Sequence, residues 1–218
     1  MHRILAILAI AAAVTGLAAF GIAAQPALAA GGGNVTFQGG TAREQAAVRS
    51  ALGASSFDWG LLPQTVVVHI GAGDSYSTAG NVYLSSSLLD SGRFAWGVVQ
   101  HEFAHQVDFM LFDDAKRAAF NTALGGKDWC YSVPGLAHAD YGCERFASEL
   151  AWAYWPSTDN SMMPLSARDE ASAMPVASFR SLLASTLGVP SLAAAPAPAR
   201  TVAAVVAHRA KRPVTRVR

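Results

Sequence analysis

The stretch VQHEFAHQV, residues Val99–Val107, carries two histidines four positions apart, with a glutamate directly after the first. In a helix, His101 and His105 lie about 40° apart around the axis, so both rings can reach one cation. Glu102 lies beside them, where its carboxylate can accept a proton from a water that the metal activates. This His-Glu-x-x-His pattern is typical of zinc hydrolases. The sequence therefore predicts a Zn²⁺ site on one face of a helix.

An apolar stripe on the opposite side of the same segment indicates a helix. Hydrophobic residues recur there at helical spacing: Trp96, Val99, Phe103, Val107 and Met110. We predict a helix over residues 93–112, packed on one face and presenting metal ligands on the other. The alternative is an amphipathic core helix whose histidines are only buried and hydrogen-bonded.

Patterns elsewhere in the chain predict a mixed α+β domain. Helices are expected in four further segments: 41–52, 114–124, 144–155 and 168–187, the last interrupted near Pro175. Strands are expected over residues 65–70 and 81–85, and residues 75–80 are expected to form a loop. The predicted architecture is a short N-terminal sheet followed mostly by helices, with the site between helices.

The N-terminal segment differs in composition from the rest of the chain. Residues 1–3 make a short basic start, residues 4–24 are almost wholly apolar, and small residues at 26–30 suit a signal peptidase. We expect a signal peptide over residues 1–30, cleaved near Ala29 or Ala30, and a secreted or cell-envelope protein. An uncleaved membrane anchor is the competing interpretation, because the apolar run is nearly long enough to span a bilayer.

Charge divides the remaining chain into two parts. Residues 31–190, expected to form one domain, contain 9 Lys+Arg and 15 Asp+Glu, whereas residues 191–218 contain 6 Lys+Arg and no acid. The second part is rich in Ala and Pro and is expected to be a disordered basic tail. It would act as a solvated spacer, or contact anionic envelope polymers or the acidic domain. Nucleic-acid binding is not expected of an exported chain with an acidic domain, and we expect a monomer.

Cys130 and Cys143 are the only cysteines in the chain. In an oxidising compartment, an even pair within one short segment most simply forms a disulfide. Closing a loop of about a dozen residues would contribute about 3 kcal/mol in the chain-entropy model. Zinc ligation by these thiols is less expected, because their spacing is not Cys-x-x-Cys.

The two histidines need a third ligand from elsewhere, because catalytic zinc ordinarily takes three protein ligands and leaves one position open. Five side chains are candidates: Glu144, Glu149, Asp108, His69 and His138. Glu144 and Glu149 share a predicted helix but lie about 140° apart around it, so only one of them can face the metal. Spacing alone leaves this choice open.

Two segments carry a resemblance to a known family. The run ERFASE, residues Glu144–Glu149, resembles the E-x-F-A-type ligand helix of gluzincin metallopeptidases related to anthrax lethal factor, and HEFAHQVD, His101–Asp108, is similar to that family's active-site helix. More broadly, three segments look like those of small secreted zincin-like proteins of actinobacteria: Gly39–Thr41, Trp96–Glu102 and Glu144–Ala147. The resemblance implies a zincin-like fold, with His101, His105 and Glu144 as zinc ligands and Glu102 as the general base. Glu149, one position later than in the toxin pattern, remains the alternative ligand.

The resemblance, together with the positions of residues in their predicted elements, indicates roles for further side chains. Tyr141, or else His138, is expected to stabilise the negative oxygen that develops during hydrolysis, with Tyr141 the first choice. Asp108 is expected to orient a histidine, or else to be an ordinary surface acid. His69, inside an apolar strand, is expected to be a core residue. An extended peptide is expected to lie along an edge strand, for which residues 81–85 are the candidate.

These observations together predict a secreted zinc-dependent metalloendopeptidase that acts on peptide or protein substrates. Glu102 and Tyr141 are the expected catalytic residues, and Zn²⁺ is the expected cofactor. The alternative is a non-catalytic protein that keeps the zincin scaffold to bind the cell envelope, with the basic tail as its anchor.

Overall fold

The computed structural model describes residues 34–194, which form a mixed α+β structure as predicted. The four strands are β1 (Val35–Gly39), β2 (Val66–Gly71), β3 (Tyr76–Thr78) and β4 (Asn81–Ser85). The helices of this part are α1 (Ala42–Ala54), α2 (Ser86–Leu89), α3 (Phe94–Leu111), α4 (Asp114–Leu124), α5 (Gly142–Tyr154) and α6 (Val176–Leu187).

The expected signal peptide, residues 1–30, and its competing interpretation as a membrane anchor lie outside the described residues. Over the described range 34–194, no helix combines the length and the apolar character needed to cross a bilayer.

The strands form one sheet in the order β1-β2-β4-β3. β1, β2 and β4 are parallel, and β3 pairs antiparallel with β4 at the edge. Two expectations are therefore corrected: residues 75–80 include a strand, and the candidate edge strand over 81–85 is internal. Only two residues connect β3 to β4, and Gly80 has a φ of +78°, which suits a tight hairpin. A three-residue strand is too short to show an alternating sequence pattern.

The predicted helices are present with small shifts at their ends. α1 begins at a capping box, in which the side chain and backbone of Thr41 exchange hydrogen bonds with Glu44. α4 ends at Gly125 in the left-handed conformation. α5 begins at Gly142, two residues before the predicted start, and α6 follows a 3-10 turn at Glu170–Ser172. β1 and α2 were not expected from the sequence.

α3 is the central element, because it packs against α1, α5 and β3. The apolar stripe is confirmed, since Val99, Phe103 and Val107 are fully buried. The histidine face is also buried, and twelve of the 18 residues of this helix are shielded from solvent. A helix in this position can hold side chains firmly on both faces, which is what a metal site requires.

The domain continues beyond its expected end at residue 190. Pro190–Ala193 form a 3-10 turn, and the side chain of Leu192 is buried. The carbonyl of Leu192 accepts hydrogen bonds from the Tyr154 hydroxyl, at 2.8 Å, and from Arg180 Nε, at 3.2 Å. The first residues of the expected tail therefore belong to the folded part, and the rest of the tail lies outside the described residues.

Candidate metal centre

Two helices bring together the three side chains expected to bind zinc. His101 and His105 lie on α3, and Glu144 lies in the first turn of α5. Glu144 Oε2 is 3.1 Å from His101 Nε2 and 3.4 Å from His105 Nε2, and the two Nε2 atoms are 3.2 Å apart. Ligand atoms about 2.0–2.1 Å from a tetrahedral zinc ion lie about 3.3 Å from one another. The donor set therefore fits Zn²⁺ in both chemistry and spacing.

Glu149, the alternative ligand, points elsewhere. Its side chain is fully buried, and neither carboxylate oxygen makes a hydrogen bond of acceptable geometry. Burial raises the pKa of Glu149 to about 8, although the backbone amides of Met174 and Ala173 lie close enough to oppose the shift in part. The group of possible metal ligands contains Glu144 and not Glu149.

The charges of the three clustered groups depend on one another. Burial raises the pKa of Glu144, but hydrogen bonds from His101 and His105 outweigh it and hold that pKa well below its usual range. For His105, burial lowers the pKa, and contact with Glu144 more than compensates, so the net shift is upward. A site that attracts protons in this way can exchange them for a divalent cation, so metal affinity must depend on pH.

Glu102, the expected general base, lines the same cleft as the three ligands. The hydroxyl of Ser77, on β3, lies 2.9 Å from Glu102 Oε2 and 2.8 Å from the Glu102 carbonyl oxygen. Sequence reasoning missed Ser77, because it lies in a segment expected to be a loop and contacts Glu102 only through the tertiary fold. Ser77 restrains the carboxylate and links the edge strand to α3.

A hydrogen-bonded network supports His101 from behind. His101 Nδ1 is 3.0 Å from the Ser148 hydroxyl oxygen, and this hydroxyl donates to Glu170 Oε2 at 2.7 Å. The other oxygen, Glu170 Oε1, is 2.6 Å from His138 Nδ1. Because Ser148 donates to Glu170, its oxygen is free to accept from His101 Nδ1–H, which leaves the lone pair of Nε2 for a metal.

His138 lies at the rim of the cleft rather than among the proposed ligands. Its Nε2 atom is 3.2 Å from Glu144 Oε2. The hydrogen bond to Glu170 raises the pKa of His138, while burial opposes this shift, and contact with His138 helps to lower the pKa of Glu170. Glu170 was not a candidate from the sequence, since its 3-10 turn carries no motif.

Tyr141 does not reach the cleft, which corrects its expected catalytic role. Its ring is buried, and its hydroxyl donates to the carbonyl of Val133 at 2.7 Å. Tyr131 lines the cleft instead and is 55% exposed. Partial burial and the negative charge of Glu144 raise the pKa of the Tyr131 hydroxyl, so this group is a hydrogen-bond donor at neutral pH.

The predicted disulfide between Cys130 and Cys143 is present, with Cα atoms 5.5 Å apart. Cys130 directly precedes Tyr131 and Cys143 directly precedes Glu144, so the disulfide links the backbone at these two residues. Tyr131 has a φ of +56°, a left-handed conformation that is rare for a residue other than glycine. Its ring packs on that of Tyr141 at 4.2 Å between centroids. The disulfide and this ring contact hold Tyr131 in a conformation that the backbone alone disfavours.

Two other candidates have structural roles. Asp108 is buried and accepts hydrogen bonds from Arg117 Nε at 2.8 Å and from Trp129 Nε1 at 3.2 Å. It thus anchors α4 and the following loop to α3, and both expectations for it were wrong. His69 is half-buried on the outer face of the sheet rather than in the core, with Nε2 2.9 Å from Asn81 Oδ1.

The cleft over the metal ligands has a volume of about 310 Å³. Ser75, Tyr76 and Ser77 of the edge strand region form one wall, and Tyr131 and His138 line the cleft as well. The edge strand, Glu102, the three candidate ligands, Tyr131 and His138 therefore share one opening. Such an arrangement can hold an extended chain across a metal ion.

In comparisons with known proteins, no family model matches the chain, and no curated protein or solved structure shows significant similarity to it. The functional interpretation therefore depends on the geometry of the site.

Proposed function

We propose that the protein is a zinc-dependent metalloendopeptidase with a zincin-like fold, and that it acts outside the cytoplasm. The observation that carries the proposal is the convergence of His101, His105 and Glu144 within 3.4 Å of one another, with Glu102 in the same cleft. The antiparallel edge strand next to α3 supports the zincin-like interpretation. The disulfide supports an oxidising compartment, where such bonds persist.

The chemistry divides between the ion and the side chains around it. His101, His105 and Glu144 would hold Zn²⁺, which when bound lowers the pKa of a water molecule and polarises a carbonyl group. Glu102 accepts a proton from the attacking water and delivers it to the nitrogen of the departing amine. Ser77 keeps the Glu102 carboxylate in place through the contact at 2.9 Å.

Two donors replace Tyr141 in the proposed mechanism. Tyr131 and His138 line the cleft and can donate hydrogen bonds to the carbonyl oxygen as negative charge develops on it. Glu170 accepts a hydrogen bond from His138 Nδ1–H and raises the pKa of His138, so the protonated ring can also donate from Nε2 toward Glu144 and the cleft. The substrate would lie along β3, the strand that borders the cleft, rather than along β4.

The test separates zinc binding from catalysis. Purified protein is expected to bind one zinc ion and to cleave unfolded protein in a way that chelators abolish. Glu102→Gln is expected to keep the metal and to lose at least about 100-fold in kcat, the range typical of a lost general base. Glu144→Ala is expected to lose the metal as well, whereas Glu149→Ala is expected to retain it.

The measurements are metal content by elemental analysis and product formation by mass spectrometry. Full activity of zinc-loaded Glu102→Gln would remove this residue from its proposed role. Bound zinc without turnover on any peptide, together with cell-wall retention that depends on the basic tail, would favour the non-catalytic envelope-binding alternative.

A further inference from the structure

Three aromatic side chains stack in a row across the outer face of the sheet. The rings of His69 and Tyr83 are 4.4 Å apart between centroids and 10° from parallel. The rings of Tyr83 and Tyr76 are also 4.4 Å apart and 9° from parallel. These residues are direct partners in the strand register, on β2, β4 and β3 in turn. The aromatic row therefore runs across the strands and reaches the edge of the sheet.

Tyr76 is the last ring of the aromatic row and borders the candidate active site. Its side chain is 51% exposed, and it lines both the metal cleft and a second cavity of about 360 Å³ beside the row. Within residues 34–194, the only ring stacked on Tyr76 is that of Tyr83. The other side of the Tyr76 ring faces the edge where β3 has no strand neighbour within this range.

The alternation of β3 relates the aromatic row to the catalytic residues. Side chains along a strand point to opposite faces in turn, so Tyr76 and Thr78 share the outer face while Ser77 points inward to Glu102. A peptide strand beside β3 would follow the same alternation. Its residue next to Ser77 would face Glu102, and the adjacent residue would lie beside Tyr76.

Strand spacing makes this second position suitable for a ring. Neighbouring strands lie about 4.7–4.9 Å apart, close to the 4.4 Å between the rings of the aromatic row. An aromatic side chain on an added strand would therefore continue the row as a fourth ring. Stacked aromatic pairs gain free energy beyond that of the area they bury, whereas an aliphatic side chain would gain only from area.

We propose that Tyr76 forms a binding subsite for an aromatic side chain of an extended peptide, one position from the residue that faces Glu102. This subsite rests on the proposed peptidase function and names the substrate class that the cleft selects. The stacking contribution corresponds to roughly a twofold to tenfold preference in kcat/KM for an aromatic residue over an aliphatic residue of similar size at that position.

The experiment uses the zinc-loaded full chain and a randomised synthetic peptide library, with cleavage positions read by mass spectrometry. Matched peptides with Phe or Leu at the enriched position then give kcat/KM ratios. Wild type is expected to favour Phe by roughly twofold to tenfold. Tyr76→Ala should remove this preference, and Tyr76→Phe should keep it. Thr78→Ala, on the same face of the same strand, is the matched control and should also keep it.

A measurement of peptide affinity tests the subsite independently of the proposed peptidase function. The affinity of zinc-loaded Glu102→Gln is measured first for the same library and then for Phe and Leu peptides matched at the position that binding enriches. Both measurements are made with Tyr76 and with Tyr76→Ala in that background. A preference for Phe in binding that depends on Tyr76 would support the subsite even if wild type cleaves no peptide. The absence of cleavage would contradict only the proposed peptidase function. Four outcomes would each overturn the subsite: no aromatic preference, an aromatic preference that survives Tyr76→Ala, a preference for Arg instead, or no peptide binding.

Discussion

Two buried glutamates on α5 experience opposite electrostatic environments, because their neighbours differ. The carboxylate of Glu144 faces two histidines, whose hydrogen bonds hold its pKa below the usual range. The carboxylate of Glu149 faces no cation and makes no hydrogen bond of acceptable geometry, and burial raises its pKa to about 8. Burial alone therefore does not decide the charge of an acid in this helix; the partner group decides it.

Glu149 is expected to make stability depend on pH. Its pKa in the folded state, about 8, lies above the ordinary value of 4.5, so the folded protein holds a proton that the unfolded chain releases between these values. Stability should therefore fall as pH rises through this window, by up to about 1.4 kcal/mol per pH unit. Glu149→Gln should remove this loss, so the free energy of unfolding of the variant should rise relative to that of wild type between pH 5 and pH 8.

Urea unfolding of zinc-saturated protein at several pH values checks this prediction. Glu44→Gln is the control, since the pKa of Glu44 is lowered by its hydrogen bonds to Thr41 and this variant should show no gain at alkaline pH. A difference between Glu149→Gln and wild type that stays constant with pH would contradict the prediction.

Local sequence patterns were sufficient to identify part of the candidate site. His101, Glu102 and His105 follow from the spacing of one helix, and Glu144 follows from resemblance to a ligand helix. Ser77 and Glu170 could not be found in this way, because their partners are distant in sequence. Ser77 lies 25 residues before Glu102, and Glu170 lies 22 residues after Ser148. Their roles exist only once the tertiary fold has formed.

At the scale of elements, the segment between α4 and α5 controls the rim of the cleft. Tyr131 and Tyr141 both lie in this segment, and composition alone does not distinguish them. The left-handed backbone at Tyr131 and the hydrogen bond from Tyr141 to Val133 direct one ring to the cleft and the other inward. The disulfide connects this segment to the first turn of α5, which carries Glu144.

Loss of the disulfide is expected to weaken zinc binding. A Cys130→Ala/Cys143→Ala double variant should bind zinc about tenfold more weakly, the lower end of the effect of losing groups that orient ligands. Chelator competition measures the affinity. Val133→Ala, an exposed residue of the same segment, should leave it unchanged. Equal affinity of the double variant and wild type would show that the disulfide does not support the centre.

The elements that sequence patterns found are those with strong local preferences. β2 is rich in β-branched residues, and α1 begins at a capping box. β1 and β3 were missed for a different reason. β1 is only partly buried and β3 has three residues, so both depend on pairing with neighbouring strands rather than on their own composition.

For the whole molecule, the candidate metal centre lies between two helices, α3 and α5, that also share a core. α3 and α5 supply all three proposed ligands, and the same helices contribute to one continuous hydrophobic core that includes Phe103, Phe146 and Leu150. Because this core does not depend on the ligands, the protein should remain folded without metal and become less stable.

Removal of zinc is expected to lower the melting temperature. At a zinc concentration about 1,000 times the dissociation constant, binding should contribute about 4 kcal/mol, and each kcal/mol should shift Tm by about 2–4 °C. The shift should shrink as pH falls, because protons compete with the metal for His105, whose pKa is raised. Scanning calorimetry with zinc or chelator checks this. Zinc should shift the Tm of Glu144→Ala hardly at all. A zinc-dependent Tm shift in this variant as large as that of wild type would contradict the proposed ligand set.

The position of Glu170 has a consequence for the order of events during biosynthesis. The ring of His101 depends, through Ser148, on a carboxylate 69 residues further along the chain. A ribosome therefore releases the ligand pair long before the group that orients it. If the nascent polypeptide is exported unfolded, the complete proposed site would form only after translocation and would take its zinc from the medium into which the chain emerges.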